Sequence, residues 1–195
     1  MSTGTLILAA GRSRRMGDPK ALLGYRGRTI LEHQVTLYSL FGPVWVAVNA
    51  ELAPEVQLLG IPAPVFVMEN PAPGLFSTVR PCLVRLCGQV ERLFVSPVDC
   101  VLPDGAVPAM MLTSPGVAPV LAPVHGGKRG HPVLLSAEAM TGVAEALDGA
   151  RFDEVLEGLG IADFPVPEPR ILLNINTPDD YTRFLAADAV AQERS

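Results

Sequence analysis

The sequence predicts an α/β protein, a three-layer α/β/α sandwich with a mostly parallel central sheet. Short apolar runs bounded by Gly, Pro, Asn or Asp alternate with longer segments of helical periodicity. The runs are apolar throughout, which is typical of strands that are covered on both faces. The 195 residues are 49% hydrophobic and contain no internal repeat or long linker, so we expect one domain over residues 1–195.

The apolar runs are the predicted strands. The first covers residues 6–10 and leads directly into Gly11. Further strands are predicted at residues 44–48, 65–68, 93–98, 118–125 and 171–176. Because proline has no N–H to donate to a neighbouring strand, Pro119 and Pro123 indicate an edge or bulged position for the strand at 118–125.

The helices are predicted from apolar periodicity and from capping residues. Thr29 and Glu32 form a capping-box pattern, and Gly42 followed by Pro43 ends the helix that they begin. Further helices are predicted from about 52 to 59, 77 to 87, 104 to 113, 136 to 147 and 148 to 160, and from 177 onward. Thr177 is the predicted N-cap of the last one, with proline at its first position.

Composition excludes several classes of protein. The net charge of −5 argues against a general nucleic-acid binder, and no apolar run approaches the roughly 18 residues that cross a bilayer. The arginines follow the first apolar run, whereas a signal peptide has its cations before it. The three cysteines form no CxxC pair. We therefore expect a cytoplasmic protein with reduced thiols and no membrane partner.

The most informative stretch is the loop after the first strand, residues 11–20. It carries Arg12, Arg14 and Arg15 after a buried strand and ends with Pro19 and Lys20. Such a loop suits a polyphosphate, since backbone N–H groups approach the ligand at glycine and fixed cations offset its charge. The spacing is not that of a Walker A loop, and no GxGxxG follows the strand. P-loop ATPases and NAD-dependent oxidoreductases are therefore disfavoured.

Polar residues follow other predicted strands at the point where each strand ends. These are the loop at 70–78, Asp99, and Asn174 with Asn176. The carboxyl ends of parallel strands meet at one edge of a sheet, where ligands bind in open α/β folds. One carboxylate helped by one amide oxygen suits Mg²⁺, which prefers few protein ligands together with substrate phosphates. We expect Asp99 and one of the two asparagines to hold it, because strand alternation points only one of Asn174 and Asn176 into the site.

The first motif, L-A-A-G-R-S-R-R-M-G-D-P-K at residues 8–20, resembles the signature of the MobA/MocA-like nucleotidyltransferases. The resemblance covers almost the whole chain and implies the Rossmann-like fold of the nucleotide-diphospho-sugar transferases. Four further segments occur in the family's order, at residues 74–78, Asp99, 129–133 and 174–180. Ala10, where GTP-using members have a second glycine, is similar to the CTP-using molybdenum cofactor cytidylyltransferases.

The resemblance implies that an acceptor phosphate attacks the α-phosphorus of CTP and that pyrophosphate leaves. Arg15, Lys20 and Asp99 are the implied catalytic residues, and His131 is implied to bind the acceptor. Contacts with the nucleotide are implied for Leu8, Ala9, Ala10, Gly11, Arg12, Arg15, Lys20, Gly74 and Ser77. Asp99 and Asn174 are the implied ligands of Mg²⁺.

Two departures from the family's pattern leave alternatives open. Asp99 is followed by Cys100 and Val101 where the family usually has DxP, and the C-terminal metal position is asparagine, not aspartate. One alternative is the related reaction with GTP in place of CTP, and another is transfer to a sugar or polyol phosphate as acceptor. A different class is a non-catalytic accessory protein that binds the nucleotide and hands the cofactor to a molybdoenzyme.

Overall fold

The centre of the molecule is a mostly parallel sheet, seen here in a computed structural model that describes residues 1–11, 16–69, 74–114 and 118–192. The predicted site residues Arg12 and Arg15 lie outside the described residues. The strands are β1 Thr3–Ala9, β2 Gly24–Tyr25, β3 Arg28–Thr29, β4 Val44–Asn49, β5 Val65–Met68, β6 Arg92–Pro97, β7 Val120–His125, β8 Lys128–Arg129, β9 Val133–Ser136 and β10 Ile161–Pro165. The helices are α1 Ile30–Tyr38, α2 Ala53–Leu58, α3 Phe76–Leu86, α4 Ala106–Leu112, α5 Ala137–Glu145, α6 Phe152–Leu159 and α7 Pro178–Gln192.

The strand order confirms the predicted fold class. It runs β10-β7-β9-β6-β1-β4-β5, with β8 paired to β7, while β2 and β3 form a separate hairpin. β1 is central and pairs in parallel with both β4 and β6. β9 runs antiparallel to β6 and β7. All seven residues of β1 are buried, as expected of a strand that is covered on both faces.

Successive side chains of β1 point to opposite faces of the sheet, and the core is accordingly divided into two apolar clusters, one on each face. Ile7 and Ala9 pack with residues of α1, α2, α4 and α7, and Leu6 and Leu8 pack with residues of α3, α5 and α6. Helices on both faces of the sheet make the three layers that the sequence predicts. Within the described residues, no helix has both the length and the apolar content needed to span a bilayer.

Two capping predictions are confirmed. The Thr29 hydroxyl accepts a hydrogen bond from the Glu32 N–H, and the Glu32 side chain accepts one from the Thr29 N–H, which completes the capping box of α1. Ser136 caps α5 by accepting from the Ala139 N–H.

The predicted strand at residues 171–176 is wrong. The outer place beside β7 is taken by β10, a strand that the sequence analysis missed. The later segment instead forms a 3-10 turn at Pro169–Leu172 and crosses the end of β6, where the Ile175 N–H donates to the Asp99 carbonyl at 2.9 Å. Residues 171–176 therefore lie outside the sheet.

The predicted edge position of β7 is also wrong, because β10 lies outside it. β7 tolerates Pro123 because its ladder with β9 covers only Val120 and Leu121. The Val120 N–H donates toward β10, and alternation then places the missing N–H of Pro123 on the opposite side, beyond the end of the β9 ladder.

Candidate active site

Lys20, Asp99 and Asn176 come together at the carboxyl end of the central strands. The Lys20 Nζ lies 2.8 Å from Asp99 Oδ2 and 2.8 Å from Asn176 Oδ1. Lys20 begins a 3-10 turn after Pro19, and Asp99 follows β6. The side chains of Lys20 and Asp99 are only 13% and 24% exposed, so their ion pair is partly shielded from water. The Lys20 ammonium thus lies between two oxygen atoms that accept its hydrogen bonds.

Asn176 is held in place by the cap of α7. The Asp180 carboxylate accepts hydrogen bonds from the N–H groups of Asn176 at 3.0 Å and Thr177 at 2.9 Å. The Thr177 hydroxyl accepts in turn from the Asp180 N–H at 3.2 Å. These bonds satisfy N–H groups that have no partner within the helix, and they fix the backbone that presents Asn176.

The expected choice of Asn174 over Asn176 depended on a strand that does not form. Asn174 is exposed, whereas Asn176 is partly buried and contacts Lys20. Without strand alternation, sequence position does not decide which side chain faces the site. The structure therefore brings Asn176, and not Asn174, together with Lys20 and Asp99.

The end of β1 offers backbone groups beside this cluster. Leu8, Ala9 and Ala10 are buried and Gly11 is exposed. The Leu8 carbonyl accepts from the Val98 N–H at 3.0 Å, so it is engaged in the sheet. The Asn49 side chain donates to the Ala10 carbonyl at 3.2 Å and accepts from the Leu52 N–H at 2.8 Å. Asn49 thus ties the segment after β1 to the residue that precedes α2.

Other predicted residues line a separate cavity of about 1110 Å³ on the α3 and α6 face of the sheet. Gly74, Ser77 and His131 line it, whereas Lys20 and Asp99 are not part of its wall. Gly74 has φ +105°, a conformation that favours glycine, and its carbonyl accepts from the Ser77 hydroxyl at 2.8 Å. Ser77 therefore lies in the first turn of α3 and is not its N-cap, a position that Leu75 occupies.

His131 connects the cavity with the Lys20 cluster. Burial lowers the pKa of His131 below its ordinary 6.5, and the nearby Asp99 charge raises it in part. Its Nδ1 atom is buried without a hydrogen-bond partner among the described residues. Its backbone N–H donates to the Ile171 carbonyl at 3.0 Å. The imidazole is thus neutral at neutral pH.

The oxygen donors at the site suit a hard divalent cation. Asp99 supplies a carboxylate and Asn176 an amide oxygen, and the Lys20 ammonium already lies between them as a cation. In the part of the chain that the structure describes, no three His, Cys, Asp or Glu residues cluster as a complete metal cage. A donor set of this size fits Mg²⁺ that is shared with substrate phosphates.

Comparisons with known proteins match the chain to one family. Residues 5–161 match the family model described as the MobA-like NTP transferase domain. The chain is 25% identical over 186 residues to the molybdenum cofactor cytidylyltransferase of Escherichia coli (strain K12), covering 90% of this chain and 92% of that one.

Solved structures show the same fold. Rv0371c from Mycobacterium tuberculosis H37Rv matches with a TM-score of 0.83 and 20% identity over 95% of this chain and 99% of that one. Molybdopterin-guanine dinucleotide biosynthesis protein A from Archaeoglobus fulgidus matches with a TM-score of 0.72 and 22% identity over 97% and 99%. A further structure of the mycobacterial protein is a complex with manganese.

Proposed function

We propose that this chain, which belongs to the family of MobA-like NTP transferase domains and is a nucleotidyltransferase, transfers CMP from CTP to a phosphate of a molybdopterin-type acceptor and releases pyrophosphate. The observation that carries the proposal is the cluster of Lys20, Asp99 and Asn176 beside the end of a buried central strand. Ala10 and the cytidylyltransferase name of the curated relative support CTP over GTP.

Nucleotidyl transfer depends on positioning and on neutralising phosphate charge more than on covalent chemistry. Lys20 is the cation of the described site that we assign to the triphosphate. Arg12 and Arg15, which precede it in the same loop, are proposed to act with it. The exposed backbone at Gly11 and the end of β1 at Ala10 are assigned to the base.

Asp99 and Asn176 are the residues that we propose to hold Mg²⁺. The bound ion supplies Lewis acidity and neutralises charge on the phosphates. The ion pair with Lys20 orients the Asp99 carboxylate, and the cap of α7 fixes Asn176. The manganese complex of the mycobacterial neighbour supports a divalent ion as cofactor.

His131 is proposed to bind the acceptor, because it lines the cavity and lies near enough to Asp99 to feel its charge. The three free cysteines suit a reducing cytoplasm as the place of reaction. A molybdoenzyme is the proposed recipient of the product.

The test is a pyrophosphate-release assay with CTP, GTP and UTP in the presence of Mg²⁺, each with molybdenum cofactor or glycerol 3-phosphate as acceptor. We expect turnover with CTP and molybdenum cofactor. Asp99→Asn is expected to lower turnover on the order of 100-fold or more, because it removes the carboxylate beside Lys20. Asp179→Asn, on the exposed first turn of α7, is the matched control and is expected to stay within about twofold.

Two outcomes would contradict the proposal. Tight CTP binding without pyrophosphate release from any nucleotide would favour the non-catalytic accessory protein. Unchanged turnover in Asp99→Asn would remove the proposed metal and phosphate site.

A further inference from the structure

The Lys20 ammonium contacts the same two oxygen atoms that we propose as ligands of the metal ion. It donates to Asp99 Oδ2 and to Asn176 Oδ1, each at 2.8 Å. An ion bound to either oxygen at the roughly 2.1 Å typical of Mg²⁺ would lie within about 5 Å of the Lys20 Nζ. Two cations so close repel strongly in a site that is partly shielded from water. The oxygen pair therefore holds one of the two cations well, but not both.

The charges around this oxygen pair are already balanced in the part of the chain that the structure describes. Asp99 is paired with Lys20. Asp180, whose carboxylate accepts from the Asn176 N–H, is paired with Arg183 at 2.6 Å. The Asn176 side chain adds an oxygen but no charge. A site with no excess of negative charge attracts a divalent cation only weakly, so the ion needs a further anion to bind there.

The two oxygens are fixed, whereas the cation between them is able to move. The cap of α7 holds the backbone of Asn176, and the Asp99 carbonyl accepts from the Ile175 N–H at 2.9 Å. Lysine carries a compact charge on a flexible four-carbon chain, so its ammonium can exchange one set of acceptors for a neighbouring one. A triphosphate offers such acceptors, and it also supplies the negative charge that a divalent ion needs.

We infer that Lys20 and the divalent cation compete for Asp99 and Asn176, and that the triphosphate decides the competition by drawing the ammonium onto its phosphates. Metal affinity is therefore low without nucleotide, and the metal ion binds together with the nucleotide. The inference rests on the proposed function, because it takes Asp99 and Asn176 as metal ligands and a nucleoside triphosphate as substrate. It gives Lys20 a second role besides phosphate binding, which is to keep the metal ion off these oxygens until phosphate is present.

Substitutions at the two lysines of the chain, Lys20 and Lys128, isolate the competition. Lys20→Met removes the ammonium and keeps an apolar chain, Lys20→Ala repeats the loss with a shorter side chain, and Lys20→Arg keeps the charge. Lys128→Met is the matched control, since it removes the same charge from an exposed position on β8. Lys20→Met combined with Asp99→Asn shows whether Asp99 holds the ion. All variants are full chains, and their unfolding in urea is compared with that of the wild type.

The main measurement is a titration with MnCl₂ alone, without nucleotide, in which electron paramagnetic resonance follows the free ion. Lys20→Met and Lys20→Ala are expected to bind Mn²⁺ about 10-fold or more tightly than wild type, because the competing cation is gone. Lys20→Arg and Lys128→Met are expected to stay within about threefold of wild type. A merely structural role for Lys20 would lower the free energy of unfolding without raising the affinity for Mn²⁺.

A second titration measures the coupling between metal and nucleotide. CTP is expected to raise the Mn²⁺ affinity of wild type about 10-fold more than that of Lys20→Met, since the variant has no ammonium to displace. The enhancement of water-proton relaxation distinguishes Mn²⁺ on the protein from Mn²⁺ on free CTP. Equal coupling in the two proteins would contradict the part assigned to the triphosphate.

The titration with the metal alone separates failure of the inference from failure of the proposed function, because it contains neither nucleotide nor acceptor. Tighter binding in Lys20→Met that is lost on adding Asp99→Asn supports the competition even if no nucleotide turns over. The inference is overturned if the Met and Ala variants bind Mn²⁺ no more tightly than wild type. It is also overturned if Lys20→Arg binds as tightly as Lys20→Met, or if the gain survives Asp99→Asn.

Discussion

At the scale of single residues, the site depends on contacts between side chains that are remote in sequence. Lys20 is separated from Asp99 by 79 positions and from Asn176 by 156. Sequence patterns proposed Lys20, in the loop after β1, and Asp99, after β6, as candidates because each follows a recognisable local signal. The choice between the two asparagines required the conformation of the segment that carries them.

Substitution of each asparagine tests that choice. Asn176→Ala is expected to lower turnover about 10- to 100-fold and to raise the Mg²⁺ concentration needed for half-maximal rate, because it removes an oxygen 2.8 Å from Lys20 Nζ. Asn174→Ala is expected to remain within twofold, since Asn174 is exposed. Steady-state rates across a Mg²⁺ series make the measurement, and the reverse ranking of the two variants would contradict the assignment.

At the scale of elements, α7 completes the site from beyond the region that the family model matches, which ends at residue 161. Its buried Asp188 accepts hydrogen bonds from the Tyr25 hydroxyl at 2.9 Å and from Arg26 Nε at 2.9 Å. α7 is thereby attached to the β2–β3 hairpin, while its first turn fixes Asn176. Burial by itself would raise the pKa of Asp188, but hydrogen bonds from Arg26 and Tyr25 hold it below the usual 3.8.

Asp188→Ala is expected to destabilise the protein by about 2–4 kcal/mol, because it leaves Tyr25 and Arg26 without their buried acceptor. Urea unfolding at pH 7 measures the difference, with Arg183→Ala as control. That arginine is 76% exposed in its pair with Asp180 and is expected to matter by less than about 1 kcal/mol.

The same network predicts a pH dependence. Since the folded pKa of Asp188 lies below 3.8, its stabilising effect is present above that pH and is lost as the pH falls through the folded pKa. The stability gap between wild type and Asp188→Ala is therefore expected to narrow in acid. A gap that widens below pH 3.8 would contradict the ion-pair account.

At the scale of the whole molecule, three segments that follow different strands pack directly on one another. The His131 N–H donates to the Ile171 carbonyl, and the Ile175 N–H donates to the Asp99 carbonyl. Gly130 allows the first of these contacts, since a Cβ there would lie 2.3 Å from the Ile171 oxygen. His131, the segment leading to Asn176 and Asp99 are therefore positioned as one unit.

Gly130→Ala tests that unit. It is expected to lower the free energy of unfolding by about 2–4 kcal/mol and to reduce turnover as well, because backbone atoms of residue 171 would have to move. Gly158→Ala is the control, since a Cβ at that position in α6 meets nothing within 4 Å. The control is expected to stabilise by about 0.5–1 kcal/mol. Equal effects of the two substitutions on activity would contradict the coupling of these segments.

The sequence by itself determined what depends on local interactions. The buried central strand follows from an uninterrupted apolar run, and the starts of α1, α5 and α7 follow from capping residues whose partners lie within four positions. Lys20 and Asp99 could be proposed as site residues because each stands next to such a locally defined element. These predictions needed no knowledge of distant parts of the chain.

Only the tertiary structure decided which segments pair in the sheet and which side chains share a site. β10 lies beside β7, and residues 171–176 lie outside the sheet, where Asn176 and not Asn174 contacts Lys20. Gly74, Ser77 and His131 line the cavity, whose wall does not include Lys20 and Asp99. The physical reason is that strand pairing joins segments that are remote in sequence, and the direction of a side chain follows from the backbone conformation that this pairing leaves.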